Sequence, residues 1–143
     1  MTAPNISNPT YFAAASPVRL PRAAALGPGL GGQPRLLVDA PAGAAEIYLH
    51  GATVTSWTPR GGSEVIFTSR QAVFNGSTAI RGGIPLCLPE FGVGINGDAV
   101  PKHGWARIAP WRLLTVTATD GGGVRALLSV SRDRLTALYE VEV

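Results

Sequence analysis

The sequence predicts an all-β fold of antiparallel strands, and three observations lead to that prediction. Of its 143 residues, 18 are Gly and 12 are Pro, so turns recur at short intervals along the chain. Charged residues, several of which favour helices, make up only 15% of the chain. Apolar and polar residues alternate in several segments, which is the pattern of a strand with one buried face. With 45% hydrophobic residues, the chain has enough apolar side chains for one domain with a core.

Residues 1–32 are predicted to be a flexible extension, and residues 33–143 are predicted to form the domain. The extension is rich in Ala, Pro and Gly, has little periodicity, and ends in Gly27-Pro28-Gly29-Leu30-Gly31-Gly32. It has no basic N-terminal region and is interrupted by Pro17 and Pro21, so it differs from a transit peptide. We therefore expect a cytoplasmic protein.

Seven segments of the domain are predicted to be strands from their β-branched, aromatic and alternating residues. They are residues 35–38, 45–49, 52–57, 64–68, 111–119, 124–131 and 138–143. Pro41-Ala42-Gly43 and Pro59-Arg60-Gly61-Gly62 are predicted to close two hairpins, and Asn75-Gly76 suits a turn with positive φ in the connection that follows. Trp57 and Phe67 are expected to anchor the core.

The last three strands have the clearest alternation. In the first of them, one apolar face is predicted at Leu114, Val116 and Ala118. After the turn at residues 120–123, four residues are predicted to be buried: Val124, Ala126, Leu128 and Val130. The face that carries Arg125 is expected to be in solvent. The final strand leaves an unpaired sheet edge, which favours self-association.

Two short pieces of sequence each bring one arginine close to glycine. The segment Ile80–Leu86 contains Arg81, followed by a pair of glycines that lets backbone approach a ligand closely. The segment Pro101–Arg107 contains His103, four residues before Arg107. Because the guanidinium fork suits phosphate and carboxylate groups, these side chains are candidates for binding one small anion or sugar.

Four motifs follow one another along the chain: Gly51-Ala52-Thr53-Val54-Thr55-Ser56-Trp57, Arg81-Gly82-Gly83-Ile84-Pro85, Pro89-Glu90-Phe91-Gly92 and His103-Gly104-Trp105-Ala106-Arg107. In this order and spacing the chain resembles the glucose-6-phosphate 1-epimerase branch of the aldose 1-epimerase superfamily. The resemblance covers residues 36–143. It implies an antiparallel β-sandwich of the galactose mutarotase-like type, of which this chain is similar to the N-terminal half only and is incomplete.

The resemblance also implies the function of a hexose-6-phosphate mutarotase, which interconverts the α and β anomers without a cofactor. Opening the sugar ring requires one group to take the proton of the anomeric hydroxyl and another to protonate the ring oxygen. In the family these groups are a Glu and a His of the C-terminal half, so no catalytic residue is expected in this chain. The substrate-binding residues implied by the motifs are Arg81, Lys102, His103 and Arg107. The two arginines would hold the phosphate of a hexose 6-phosphate, and Lys102 stands where relatives often carry Gln.

Each of these candidates also has a structural interpretation. Arg81 and Arg107 would then bind loop carbonyl groups, or pair with Glu90 or Asp98. His103 would cap a loop. Glu90 is expected to form a salt bridge to one of the two arginines rather than to act as an acid.

Other classes of site have little support in the sequence. Cys87 is the single cysteine, so an intramolecular disulfide is excluded, and its apolar surroundings predict a buried structural thiol. His50 is interpreted as structural, and no His lies at metal-ligand spacing from Cys or carboxylate residues. Gly92-Val93-Gly94 lacks the context of a nucleotide-binding loop. No basic run interleaved with aromatic residues indicates nucleic-acid binding, despite the net charge of +3. No segment has the ~20 apolar residues of a membrane helix.

Two other functions stay open from the sequence. The first is a non-catalytic carbohydrate-binding β-sandwich module, which the absence of a positioned acid and base would indicate. The second is an aldose 1-epimerase that acts on unphosphorylated sugars, which independence of the phosphate group would indicate.

Overall fold

The computed structural model describes residues 18–143, which form seven strands and two short 3-10 turns. The strands are β1 Ala24–Pro28, β2 Pro34–Ala40, β3 Gly43–Tyr48, β4 Thr53–Pro59, β5 Arg112–Ala118, β6 Val124–Arg132 and β7 Leu135–Glu142. The 3-10 turns are Leu30–Gly32 and Ala106–Ile108. A long irregular stretch separates β4 from β5 and contains most of the motif residues. No helix in residues 18–143 is long and apolar enough to cross a membrane.

The strands form two antiparallel sheets in which sequence neighbours are also neighbours in space. The first sheet has the order β1-β2-β3-β4, and the second has the order β5-β6-β7. In the first sheet Leu36 lies opposite Ile47, and in the second Ala126 lies opposite Val141. One hydrophobic core takes residues from both sheets, so they pack face to face as a sandwich. The predicted all-β, antiparallel fold class is therefore confirmed.

The core follows from the alternation of apolar residues along each strand. In β6 the four residues predicted to be buried are all buried: Val124, Ala126, Leu128 and Val130. They face Leu36 and Val38 of β2 and Ile47 of β3 within the same cluster. Because successive side chains in a strand point to opposite faces, one apolar row per strand is sufficient to build this core.

The predicted N-terminal extension is wrong over its last residues. Ala24–Pro28 forms β1, which pairs with β2 from Ala24 opposite Val38 to Pro28 opposite Pro34. Small side chains fit at this sheet edge, and Leu26 packs against the core. Composition alone does not reveal such a strand, because β1 is stabilised by backbone hydrogen bonds to β2, and only β2 has the apolar pattern of a strand. The first 17 residues of the predicted extension lie outside the described residues.

The predicted buried face of β5 is only partly correct. A β-bulge between Leu113 and Thr115 shifts the register against β6, so Leu113 and Val116 are both buried. Leu114 is only half-buried, and Ala118 is exposed. A bulge puts one extra residue into the strand, which moves the following side chains to the other face.

The predicted strand over residues 64–68 is wrong, since only Thr68 forms an isolated bridge there. The carboxylate of Glu64 accepts hydrogen bonds from the Trp57 and Ile66 backbone N–H groups and from the Ser56 and Thr58 hydroxyl groups. Desolvation acts to raise the pKa of Glu64, but these hydrogen bonds outweigh it and lower the pKa. One backbone bond joins the two segments, from the Val65 N–H to the Trp57 carbonyl at 3.0 Å, and the carboxylate takes the place of the other bonds that a second strand would have made.

Two predicted core anchors are also wrong, because both side chains are exposed. Trp57 is 37% exposed and Phe67 is 77% exposed. Phe67 follows the Glu64 turn, so it has no strand partner that would fix it over the core. Cys87 was predicted to be buried and is half-buried with a free thiol. The turn at Asn75-Gly76 is confirmed, with φ of +73° at Gly76.

Candidate functional site

Arg81 lies at the start of a turn that backbone hydrogen bonds fix on both sides. The Ser69 N–H donates to the Arg81 carbonyl at 2.9 Å, and the Gly83 N–H donates to the Phe67 carbonyl at 2.8 Å. One residue further, the Ile84 N–H donates to the Val54 carbonyl at 2.9 Å. The Arg81 side chain is exposed and makes no hydrogen bond or ion pair to any residue within 18–143. A fixed backbone therefore carries an uncompensated guanidinium.

The two glycines after Arg81 are required by the geometry of this turn. Gly82 and Gly83 have φ of +107° and +70°, which L side chains rarely adopt. A Cβ atom at Gly83 would lie 2.5 Å from the Val54 carbonyl oxygen, and one at Gly82 would lie 2.6 Å from the Phe67 carbonyl oxygen. The Arg-Gly-Gly sequence thus allows the turn to pack directly against β4.

His103 is held in a second loop by a pair of hydrogen bonds to Gly92. The His103 backbone N–H donates to the Gly92 carbonyl at 2.6 Å, and the Gly92 backbone N–H donates to the His103 ring Nδ1 at 3.0 Å. Because Nδ1 accepts a hydrogen bond, the proton of the neutral ring is on Nε2. The Phe91 ring meets the imidazole edge-on, with centroids 4.9 Å apart. His103 therefore caps this loop, as its structural interpretation predicted, and retains one N–H donor.

Arg107 is in the 3-10 turn Ala106–Ile108 and is half-buried. Its Nη2 donates to the Lys102 carbonyl at 2.8 Å, which fixes the plane of the guanidinium. Its Nε is buried and has no hydrogen-bond partner among the described residues. A buried N–H of a charged group without a partner is costly, and Arg35 Nε is in the same state, so this feature alone does not mark a binding site. The Lys102 side chain is exposed.

One four-residue segment, Gly51–Val54, supports both arginine-bearing segments. The Gly51 N–H donates to the Ala109 carbonyl at 2.8 Å, and a Cβ atom at Gly51 would lie 2.5 Å from the Arg107 carbonyl oxygen. At its other end, Val54 accepts the bond from Ile84 and is the residue that Gly83 approaches. Two motifs 26 residues apart in sequence are therefore packed against the same short piece of backbone.

His50, directly before this segment, is buried and joins two loops. Its Nε2 lies 2.9 Å from the Thr78 carbonyl oxygen, and its backbone forms a bridge with Pro110. Since a carbonyl oxygen only accepts, Nε2 carries the proton in this contact. Burial lowers the pKa of His50, and the bond to Thr78 offsets part of that effect. The structural interpretation of His50 agrees with this position.

The predicted salt bridges of Glu90 are not formed within the described residues. Its Oε2 accepts a hydrogen bond from the Ile95 N–H at 3.1 Å, so the carboxylate closes the loop after Phe91. No ion pair joins Glu90 or Asp98 to Arg81 or Arg107 in residues 18–143. The contact of Arg107 with the Lys102 carbonyl matches the alternative interpretation, in which an arginine binds a loop carbonyl. No group of three or more His, Cys, Asp and Glu residues in this range is arranged to hold a metal ion.

Sequence reasoning did not identify the backbone groups that position these side chains. Two of these contacts join residues far apart in the sequence: His50 with the Thr78 carbonyl, and Gly51 with the Arg107 carbonyl. The third, from Arg107 to the Lys102 carbonyl, lies within one loop. The Gly51-Ala52 pair was part of a motif, and the positive φ of both residues, +71° and +47°, explains why small residues stand there.

Residues 34–143 match the family model described as Aldose 1-epimerase. Over 104 residues, 73% of this chain, the sequence is 42% identical to an Escherichia coli (strain K12) protein named “Putative glucose-6-phosphate 1-epimerase”. Over 69 residues, 48% of the chain, it is 49% identical to a protein of the same name from Cenchrus ciliaris. These matches span 35% and 20% of the two relatives, so the chain covers only a part of their length.

The fold is similar to that of a solved structure from Salmonella typhimurium, described as a “putative mutarotase (YeaD)”. The TM-score is 0.77 at 29% sequence identity, and the match covers 94% of this chain and 48% of that chain. Both the family that the four motifs predicted and the sandwich fold are therefore confirmed. A family model that accounts for residues 34–143, together with this shared fold, shows that the chain belongs to the aldose 1-epimerase family.

Proposed function

We propose that this chain carries the sugar-phosphate-binding part of a hexose-6-phosphate mutarotase. The reaction is the interconversion of the α and β anomers of glucose 6-phosphate. The observation that supports the proposal most directly is the state of two arginines. Within residues 18–143 Arg81 is exposed and makes no hydrogen bond or ion pair, and Arg107 is oriented by the Lys102 carbonyl. Both arise from segments that pack on Gly51–Val54.

Three arginines outside the motif region are paired with carboxylates. Arg35 pairs with Glu46 at 2.5 Å, Arg60 pairs with Asp39 at 2.5 Å, and Arg125 pairs with Glu142 at 2.7 Å. In the motif region no carboxylate of the described residues neutralises Arg81 or Arg107. A dianionic phosphate would supply the missing negative charge and accept several N–H groups in charge-assisted bonds.

The proposed roles of the remaining residues follow from their donors. His103 retains the Nε2 proton and would donate it in a hydrogen bond to a sugar oxygen. Lys102 has an exposed ammonium group, which would add positive charge near the phosphate. Arg81, Lys102, His103 and Arg107 thus form the proposed substrate-binding set, and none of them is assigned an acid or base role.

The chemistry needs two further groups in this proposal. Ring opening requires a base at the anomeric hydroxyl and an acid at the ring oxygen, and no cofactor is needed for these proton transfers. The resemblance assigns them to a Glu and a His of the C-terminal half of the family fold. Glu90 is occupied in closing its loop, and His50 is buried. The chain would therefore bind and orient substrate, without residues 18–143 supplying the acid and base pair.

The test is binding of glucose 6-phosphate and glucose to the purified 143-residue chain, measured by titration calorimetry. We expect the phosphate ester to bind more tightly than glucose. Arg81→Ala and Arg107→Ala should each weaken its binding by about 1.5 to 3 kcal/mol, the typical worth of a hydrogen bond to a charged group.

Arg125→Ala is the matched control, because it removes the same charge from the outer face of β6. It should leave the affinity for glucose 6-phosphate nearly unchanged. Equal affinities for the ester and for free glucose would refute phosphate recognition. Equal losses in all three arginine variants would show that only the net charge matters.

A further inference from the structure

We infer that His50 is the positioning residue that sets the spacing between Arg81 and Arg107, and thereby the affinity for a sugar phosphate. The inference rests on the proposed function and assigns a new residue to that site. His50 itself does not contact the substrate. It acts through the two loops that carry the arginines.

The first connection runs from the His50 side chain to Arg81. Its Nε2–H donates to the Thr78 carbonyl at 2.9 Å, three residues before Arg81. Thr78 is itself fixed, because its N–H donates to Asn75 Oδ1 at 2.8 Å and its hydroxyl accepts from Asn75 Nδ2 at 3.1 Å. Between Thr78 and Arg81 lies Ile80, which is buried. The backbone segment that leads from Thr78 to Arg81 is therefore held in place by the hydrogen bond from the His50 imidazole.

The second connection runs from the His50 backbone to Arg107. His50 forms a bridge with Pro110, and the backbone groups on either side of it complete a short ladder. Trp111 N–H donates to the Leu49 carbonyl, and Gly51 N–H donates to the Ala109 carbonyl, both at 2.8 Å. This ladder begins two residues after Arg107. One buried residue thus links the segment before Arg81 with the segment after Arg107.

The role requires a donor at the position of Nε2, and this makes the inference testable by side-chain replacement. In His50→Leu the bond to Thr78 is lost, and the dissociation constant for glucose 6-phosphate should rise roughly 2- to 30-fold, the range for mutations that act through a packed network. In His50→Gln the amide can donate to the same carbonyl, so most of the affinity should return. Tyr48→Phe is the matched control, since it removes a part-buried hydrogen bond from the Leu30 N–H and keeps the aromatic ring.

A second measurement separates positioning from general stability. In the native background Arg81→Ala should weaken binding about tenfold or more. In the His50→Leu background the same change should cost less, by a factor no larger than the loss that His50→Leu itself causes, because the two arginines no longer act together. If His50→Leu fails to fold, Asn75→Ala takes its place. Asn75→Ala removes the two hydrogen bonds between the Asn75 side chain and Thr78, and it should weaken binding several-fold.

The outcomes are distinct. The inference is overturned if His50→Leu binds like the native chain, if His50→Gln and His50→Leu weaken binding equally, or if Arg81→Ala has the same effect in both backgrounds. It is also overturned if Asn75→Ala, used as the substitute, leaves the affinity unchanged. If Arg81→Ala and Arg107→Ala have no effect in the native background, the proposed function fails first, independently of His50.

Discussion

Replacing Gly51 by Ala should reveal how closely the two arginine segments are packed. Gly51 has φ of +71°, and an added Cβ would lie 2.5 Å from the Arg107 carbonyl oxygen and 2.8 Å from Thr53 Oγ1. The first of these atoms belongs to backbone, so it cannot move without shifting the 3-10 turn that contains Arg107. The variant therefore combines a conformational penalty with a steric one.

The two penalties can be separated with Gly61 as a control. Gly61 has φ of +75°, and no atom lies within 4 Å of an added Cβ. A non-glycine residue in the left-handed region costs about 1 to 2 kcal/mol, which both variants should lose. Overpacking typically costs a further 1 to 3 kcal/mol, which only Gly51→Ala should lose. The expected losses are thus about 2 to 5 kcal/mol for Gly51→Ala and about 1 to 2 kcal/mol for Gly61→Ala.

Urea unfolding followed by tryptophan fluorescence gives the two free energies, and titration with glucose 6-phosphate gives the affinities. We expect Gly51→Ala to lose more stability and to bind the ester more weakly, and Gly61→Ala to bind it normally. Equal losses of stability, with unchanged binding in both variants, would refute the claim that Gly51–Val54 supports the arginine segments.

Three further predictions concern pH, the sheet edge and anomer exchange. Burial lowers the pKa of His50 below its ordinary 6.5, so the unfolded chain takes up the proton more readily than the folded chain. The free energy of unfolding should therefore be at its full value above pH 6.5 and should fall as the pH drops below it. In urea unfolding, His50→Gln should reduce this dependence of the free energy on pH. Identical slopes for the two proteins would contradict this. The outer edge of β7 has no partner among the described strands, and Leu138 is 65% exposed, so size-exclusion chromatography of the 143-residue chain should show oligomers that Leu138→Lys reduces. The same sample should not accelerate anomer exchange in exchange NMR, and a monodisperse monomer with fast exchange would contradict both expectations.

The regular part of the fold was predictable because each strand carries its own signal. Val124, Ala126, Leu128 and Val130 alternate with polar residues and form a row of the core, as the period of a strand requires. The hairpin of β2 and β3 was likewise marked by the predicted turn at Pro41-Ala42-Gly43. Local pattern and tertiary packing agree in these elements, so sequence alone was sufficient.

The errors occurred where a single side chain or a partner strand decides the local structure. Glu64 accepts four hydrogen bonds and turns the chain away from the strand that Val65 and Phe67 suggested. β1 has weak propensity and forms because β2 offers it an edge. The bulge in β5 depends on the pairing with β6, which no local pattern specifies.

In the candidate site the sequence likewise identifies the side chains but not the backbone contacts that position them. The motifs identify Arg81 and Arg107, because guanidinium groups next to glycines suit an anion, but the contacts that place them are made by carbonyl and N–H groups. Gly51 and Gly83 each let backbone approach backbone at a distance that a Cβ atom would prevent. Substitutions in the sandwich core should therefore act on stability, where volume-conserving changes are tolerated best. At these glycines no replacement conserves the geometry, so a single methyl group should alter stability and sugar-phosphate affinity together.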